Sequence, residues 1–298
     1  MRNPIFTGVM SAFSTPLLED GSINEEAARK LVGWQLSAGL TGFYVCGATG
    51  EGVVMRPDAR KRLAEVVVDE VNGRGVVIAH VGAVDLATAV ELASHAAACK
   101  CSAISSVPPF FYHYGLQEIK AYYRTLAEAS GLPTLIYASP LAGTVFTCGM
   151  VAELMEIPGV SGLKWTNPDY YSMSRIKLLK GGDINVLNGP DETLICGLIM
   201  GADGGIGATY NVMPKVFAGI YDNFISGQYD KARLLQAKAN RVIDVLIEYG
   251  VLTGIKEILT SLGFEMGYCV QPTRRFDSDE SKVFFAKLKA IGYPDEYI

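Results

Sequence analysis

The sequence predicts an α/β protein, an alternating (β/α)8 barrel followed by a helical extension. Three observations predict it. Eight apolar, β-rich runs alternate with helical patterns, their starts fall at roughly 25-residue spacing, and no low-complexity tract or linker divides the chain. The chain has 298 residues, 49% of them hydrophobic, with mean hydropathy +0.22, which is enough for one large core. Eight alternations without a domain break favour the closed TIM barrel over a doubly wound open sheet.

In order, the strand-like runs are "IFTGVMSAF", "TGFYVCG", "GVVIAHVG", "SAISSVPP", "PTLIYAS", "VSGLKWT", "INVLNG" and the glycine-dominated "GGIGAT". The first helix between them is marked by Ser22 and Glu25, which read as a capping box. Ala27, Leu31, Trp34 and Ala38 then recur at helical spacing and Gly39 supplies the stop. The next opens at Pro57, and "DLATAVELASHAAACK" is alanine-rich, as close packing on a sheet requires. After Tyr210 only helical periodicity remains, in "YDKARLLQAKANRVIDVLIEYG", "VLTGIKEILTSLG" and "DSDESKVFFAKLKAIG". The expected organisation is a barrel over residues 1–225 and a helical extension over 226–298 packed on it.

Composition excludes several function classes. A net charge of -5 and a pI near 5.3 argue against nucleic acid and anionic membrane as partners. No segment has the length and apolarity of a membrane span, and the N-terminal stretch meets Pro4 too early for a signal peptide. The six cysteines, at 46, 99, 101, 148, 196 and 269, show no paired zinc-ligand spacing. They read as reduced, buried thiols of a cytoplasmic protein. His80, His95 and His113 are scattered, so no metal site is expected.

In such barrels the reacting groups come from the C-terminal ends of the strands. The sixth run, "VSGLKWT", carries a lysine inside an apolar stretch. Strand alternation puts Val160, Gly162, Lys164 and Thr166 on one face and the bulky Leu163 and Trp165 on the other. Leu163 and Trp165 suit the helix layer, so Lys164 and Thr166 point into the barrel. Scarce solvent disfavours an ammonium there, and an amine is a nucleophile for carbonyls. The bland alternative is a lysine that snorkels to solvent at the strand end. Tyr137, ending the fifth run, could relay protons or could be an ordinary core tyrosine. "CGATGEG", residues 46–52, could converge backbone N–H groups and the Thr49 hydroxyl on a carboxylate, or could be a tight turn. Asp191 and Glu192 in "NGPDET" sit where a helix should start, favoured by its dipole, and could equally accept from sugar hydroxyls. "GADGGIGATYN" is a poor match to a dinucleotide fingerprint.

Taken together, "GATGEG", Tyr137 before Pro140 and Lys164 after "SGL" resemble the lysine-dependent pyruvate aldolases, the N-acetylneuraminate lyase and dihydrodipicolinate synthase family. The resemblance runs over essentially the whole chain, helical tail included. It implies a homotetrameric barrel enzyme with no metal or organic cofactor. It also implies that Lys164 forms a Schiff base with pyruvate, that Tyr137 relays protons, and that Ala48 and Thr49 hold the pyruvate carboxylate. "LNGPDETLICGLIMGADGGIGATYNVM" is similar to the lyase pattern, in which Gly189, Asp191 and Glu192 would meet sugar hydroxyls, with Thr166 at the lyase's threonine. The synthase pattern expects an arginine where this chain has Ala142, so an aspartate semialdehyde carboxylate would lack its bidentate partner.

Some positions depart from the lyase. Ala48 replaces a hydroxyl residue, removing a contact to a charged group worth about 1.5–3 kcal/mol. Ala208 stands where the lyase often has serine. Phe111 takes the place of a tyrosine that relatives supply from the neighbouring subunit, with Tyr112 next to it, and the glycine after the proline moves to Gly143. Three hypotheses follow: an aldolase cleaving an N-acetylneuraminate-like keto acid to pyruvate and an amino sugar; a synthase or another 2-keto-3-deoxy acid aldolase; and a non-catalytic keto-acid-binding barrel, supported by Ala48 and Ala208 alone.

Overall fold

The structure, a computed structural model, describes residues 5–298. Pro4, on which the expectation about a signal peptide rests, lies outside the described residues. Each of the eight apolar runs supplies one strand: β1 (Gly8–Ala12), β2 (Gly42–Val45), β3 (Val76–His80), β4 (Ala103–Ser106), β5 (Thr134–Ala138), β6 (Val160–Trp165), β7 (Asn185–Asn188) and β8 (Gly204–Gly207). Neighbours pair in parallel, and β8 pairs back onto β1, closing the barrel. The helices that follow the strands are α1 (Glu25–Ser37), α2 (Pro57–Val71), α3 (Leu86–Ala98), α4 (Leu116–Ser130), α5 (Cys148–Leu154), α6 (Tyr170–Lys177), α7 (Leu194–Ile199) and α8 (Pro214–Ile225).

Period-two alternation sorts side chains into two cores. Met10, Tyr44, Ile78, Leu135, Tyr137, Leu187 and Ile206 form one cluster inside the barrel. Their strand neighbours Phe43, Val77, Ile104, Ile136, Leu163, Trp165 and Val186 pack outward against the helix layer. Lys164 falls between outward Leu163 and Trp165, so the chain geometry that buries Trp165 also aims the amine inward. In register, Lys164 lies opposite Tyr137 of β5 and Leu187 of β7.

The start of α1 corrects one expectation. Asn24, not Ser22, is the N-cap: its side chain accepts from the Ala27 amide at 3.2 Å. The Ser22 hydroxyl instead donates to Asp20, and Glu25 pairs with Arg62. The residue adjacent to the first turn wins because only it reaches the free amides there. Helix α2 opens at Pro57 as expected.

Three further helices follow α8: α9 (Tyr229–Tyr249), α10 (Val251–Ser261) and α11 (Ser278–Ala290). They are wired to the barrel by buried polar contacts as well as apolar packing. Gln236 of α9 accepts from the Ile195 amide and donates to the Asp191 carbonyl. Tyr293 donates to the Val212 carbonyl at 2.8 Å. Phe284 of α11 is fully buried against Tyr249 and Phe276.

The cysteines are free thiols, but the expectation of burial holds only for Cys46, Cys101 and Cys269. Cys99 and Cys148 are half-buried, and Cys196 is exposed, because its place on α7 faces away from the apolar side formed by Leu194, Ile195 and Leu198.

Candidate active site

Lys164 is 5% exposed and emerges near the C-terminal end of β6. Its Nζ lies 4.7 Å from the ring centroid of Tyr44 and 4.5 Å from that of Tyr137. No hydrogen bond or ion pair engages this nitrogen among the described residues. Two ring faces, each the negative pole of an aromatic quadrupole, therefore flank a buried amine that is in ion-pair contact with no carboxylate among the described residues, Asp191 lying farther off across the same cavity. The snorkelling alternative does not describe this side chain.

Tyr44 is itself fixed. Its hydroxyl donates to Ser105 Oγ on β4 at 3.0 Å, and burial pushes the phenol well above its ordinary range. His80, at the end of β3, stands 6.0 Å from the Tyr137 ring. Its Nδ1 contacts the Cys46 carbonyl at 3.1 Å and its Nε2 faces the Val107 amide at 3.3 Å. That pattern fits one neutral tautomer, with Nδ1–H donating and Nε2 accepting. Burial, aided by the nearby Arg60 cation, lowers its pKa from 6.5 to about 3, so the ring stays neutral. Arg60 is buried and donates to the carbonyls of His80 and Gly82 at 2.8 and 3.0 Å, pinning the end of β3.

A cavity of about 340 Å³ opens over Lys164. Tyr137, Thr49 and Thr166 line it around the amine, and Gly189, Asp191, Glu192 and Ala208 form the rim contributed by β7 and β8. The Thr166 hydroxyl is buried without a hydrogen-bond partner among the described residues. A side chain at position 189 would collide with that hydroxyl, which is why the chain needs glycine there. Glu192 is exposed on the rim.

Asp191 is buried, and its carboxylate is already engaged. It accepts from the Ala208 amide at 3.2 Å, the Thr209 amide at 2.6 Å and the Thr209 hydroxyl at 2.7 Å. Burial outweighs these bonds and raises its pKa from 3.8 to about 6. Asp191 thus organises the loop after β8, a task the sequence pattern did not reveal.

A second chamber, also about 340 Å³, lies on the other side of Tyr137. Ala48 and Ala142 line this chamber, not the one with Lys164, together with His80, Val107, Phe110, Leu141 and Leu252. Its wall is the more apolar of the two. Phe111 and Tyr112 line neither chamber. They sit exposed on the loop after β4, ring centroids 5.1 Å apart, with Phe111 in the left-handed region at φ 84°.

The loop after β2 turns on itself through Glu51 N to Ala48 O and Gly52 N to Gly47 O. Glu51 takes φ 58° and buries its carboxylate against Lys256 of α10 at 2.9 Å and the Val270 amide at 2.6 Å. Lys256 also donates to the Tyr268 carbonyl at 2.8 Å. Tyr44, Ser105, His80, Arg60, Glu51 and Lys256 were all missed as site-supporting residues. The barrel residues had a signal, the inward period-two alternation that places Tyr44 after Gly42, His80 after Ile78 and Ser105 after Ala103.

Among the described residues no group of three or more His, Cys, Asp or Glu is placed to hold a metal ion, and no helix is long and apolar enough to cross a membrane. Residues 5–291 match the model of the dihydrodipicolinate synthetase family. The N-acetylneuraminate lyase of Rhizobium meliloti is 39% identical over 270 residues, 91% of this chain and 90% of that protein. Among solved structures, CdNal of Clostridium difficile in complex with mannosamine superposes with TM-score 0.91 at 30% identity, over 96% of this chain and 99% of that one. The N-acetylneuraminate lyase of Fusobacterium nucleatum complexed with pyruvate gives TM-score 0.90 at 30% identity, over 96% and 97%. A closed barrel, an inward lysine beside a tyrosine and similarity over nearly the full length converge: this chain belongs to the dihydrodipicolinate synthetase family, as an N-acetylneuraminate lyase-like class I aldolase, a carbon–carbon lyase.

Proposed function

We propose that the chain cleaves an N-acetylneuraminate-like 2-keto acid to pyruvate and an amino sugar, with Lys164 as the Schiff-base residue. The observation that carries this reading is the buried, unengaged Lys164 amine between two tyrosine rings at the base of a polar-rimmed cavity. The amine adds to the keto carbon and water leaves, giving an iminium. The iminium accepts the electron pair of the bond being broken, so an enamine forms as the aldehyde departs. Tyr137 takes the proton released from the hydroxyl on the leaving carbon and returns a proton to the enamine. Hydrolysis then frees pyruvate and restores the lysine.

Thr49, which lines the same cavity as the amine, is assigned to the keto-acid carboxylate, with the backbone of Ala48, whose residue borders the second chamber, as the neighbouring contact. The unpartnered Thr166 hydroxyl, Gly189 and the exposed Glu192 are assigned to the hydroxyls of the aldehyde. Asp191 and Ala208 act through the β8 loop, where Asp191 holds the Ala208 amide. The pyruvate complex of the Fusobacterium nucleatum relative and the mannosamine complex of the Clostridium difficile one support these ligand classes.

Incubation with pyruvate and borohydride, followed by peptide mapping, tests the reading. A reduced adduct on Lys164 is expected, and its absence refutes Schiff-base chemistry at this residue. The apolar second chamber favours one alternative, an aldolase for a less polar 2-keto-3-deoxy acid. A panel of aldehydes with pyruvate separates the two, and turnover of aspartate semialdehyde would overturn the reading of Ala142.

The exposed Phe111, Tyr112 and Val145 lie together as an apolar patch on the loops after β4 and β5. We assign this patch to subunit contact in a homotetramer, and light scattering on the purified protein measures the assembly. The free thiols fit a cytoplasmic, reducing location.

A further inference from the structure

Two sulfurs at the opposite end of the barrel from Lys164 are placed to react with each other. Cys99 is the C-cap of α3, and Cys101 lies two residues before β4. Lys100 between them adopts φ 66°, a left-handed turn that ends the helix. Three successive amides bond back to α3 carbonyls, Cys99 to His95, Lys100 to Ala97 and Cys101 to Ala96, at 2.9, 3.0 and 2.9 Å. The backbone of the turn is thus fixed, and it brings Cys99 Sγ to 3.6 Å from Cys101 Sγ. No other pair of sulfurs is in hydrogen-bond contact among the described residues.

The two thiols differ in access. Cys99 is half-buried and can be reached from solvent, whereas Cys101 is 3% exposed. Their contact also divides them chemically. A hydrogen bond from Cys101 holds the Cys99 thiol below its ordinary range, while the same contact and burial push Cys101 up. A disulfide needs an S–S distance near ~2.05 Å, and the two sulfurs already stand 3.6 Å apart across a folded turn.

We propose that Cys99 and Cys101 form a vicinal dithiol–disulfide site whose co-reactant is a low-molecular-weight disulfide of the glutathione type. Cys99 thiolate attacks one sulfur of the co-reactant, forms a mixed disulfide and releases one thiol. Cys101 loses its proton and attacks the Cys99 sulfur, releasing the second thiol and leaving the internal disulfide. Two protein thiols are oxidised and one external disulfide is reduced to two thiols, so electrons and protons balance. This assignment is independent of the aldolase reading.

The test uses the whole purified protein and oxidised glutathione at mildly alkaline pH. After quenching, free thiols are alkylated under denaturing conditions and peptides are mapped. Trypsin cuts after Lys100, so the bridge is read as two tryptic peptides held together until reduction. The expected result is that linked pair, with Cys196, exposed and without a neighbouring thiol, carrying a stable glutathione adduct. In Cys101→Ser, Cys99 should retain the adduct it can no longer pass on. A wild-type Cys99 that keeps its adduct, or stays alkylatable while Cys196 is modified, overturns the proposal. So does a Cys101→Ser protein in which Cys99 stays unmodified.

Discussion

Two lysines are buried in this molecule to nearly the same degree, and their surroundings differ in kind. Lys256 is 3% exposed and meets a carboxylate at 2.9 Å and a carbonyl at 2.8 Å. Lys164 is 5% exposed and meets two aromatic faces and no anion. Desolvating an amine is unfavourable in both places. At Lys256 ionic and hydrogen-bonded partners offset the cost, and the nitrogen has no lone capacity left for chemistry. At Lys164 the offset is weak and the nitrogen is free to bond a substrate. Burial alone thus does not mark a reactive lysine; burial without a committed partner does.

The sharpest way to break this comparison is to remove each amine. Lys164→Ala should reduce aldolase turnover by about 10⁴-fold or more, while leaving the urea midpoint equal to or above that of the parent. Lys256→Met should do the reverse. Stranding Glu51 in the interior should cost about 3–5 kcal/mol of stability, read by chemical denaturation. Adding Glu51→Gln to Lys256→Met should recover much of that loss, because the stranded charge, not the missing contact, dominates. A Lys164→Ala protein as destabilised as Lys256→Met would erase the distinction.

A smaller effect sharpens the electrostatics around Lys164. The Asp191 pKa is raised from 3.8 to about 6, so the folded state holds this proton more tightly than the unfolded chain. Its stabilising contribution is complete below 3.8 and is lost as pH rises through about 6. His80 runs the other way: its contribution is present above 6.5 and is lost as pH falls toward about 3. Denaturation midpoints measured across this range should therefore fall more steeply on acidification in Asp191→Asn than in the parent, and less steeply in His80→Gln. Parallel curves would remove both assignments.

The smallest expected change is at Tyr44. Tyr44→Phe keeps the ring face over Lys164 Nζ and loses the bond to Ser105, which should cost about 0.5–1.5 kcal/mol. Tyr44→Leu removes the ring as well, and should impair borohydride trapping of pyruvate beyond any loss seen with Phe. Equal trapping in the two variants would mean the ring face does nothing for the amine.

The barrel was legible because it rests on local rules. Alternation along β6 separates Leu163 and Trp165 from Lys164, and helical spacing exposes α1 and α9 without knowledge of their partners. Lys164 stood out because a charge interrupts an apolar strand. Lys256 did not, since a lysine in "VLTGIKEILTSLG" reads as an ordinary helix residue on a wet face. Its partner Glu51 is far away in sequence, inside a turn that glycines alone seemed to explain. The role of Asp191 was hidden for the same reason: its bonds to Ala208 and Thr209 cross from one βα loop to the next. Ser22 misled by composition, since Asn24 is equally good at capping and sits nearer the free amides. What sequence periodicity cannot carry is the pairing of buried polar groups across loops.

The contact between Glu51 and Lys256 also bears on how this protein can be cut or grafted. A fragment ending after α8 would contain all eight strands and every group proposed to touch the substrate. It would nonetheless delete both partners of Glu51, the Lys256 ammonium and the Val270 amide, and it would strip Gln236 from beneath the β7 rim. The closing helices are therefore a keystone for the mouth of the barrel, and a minimal catalytic version must keep them.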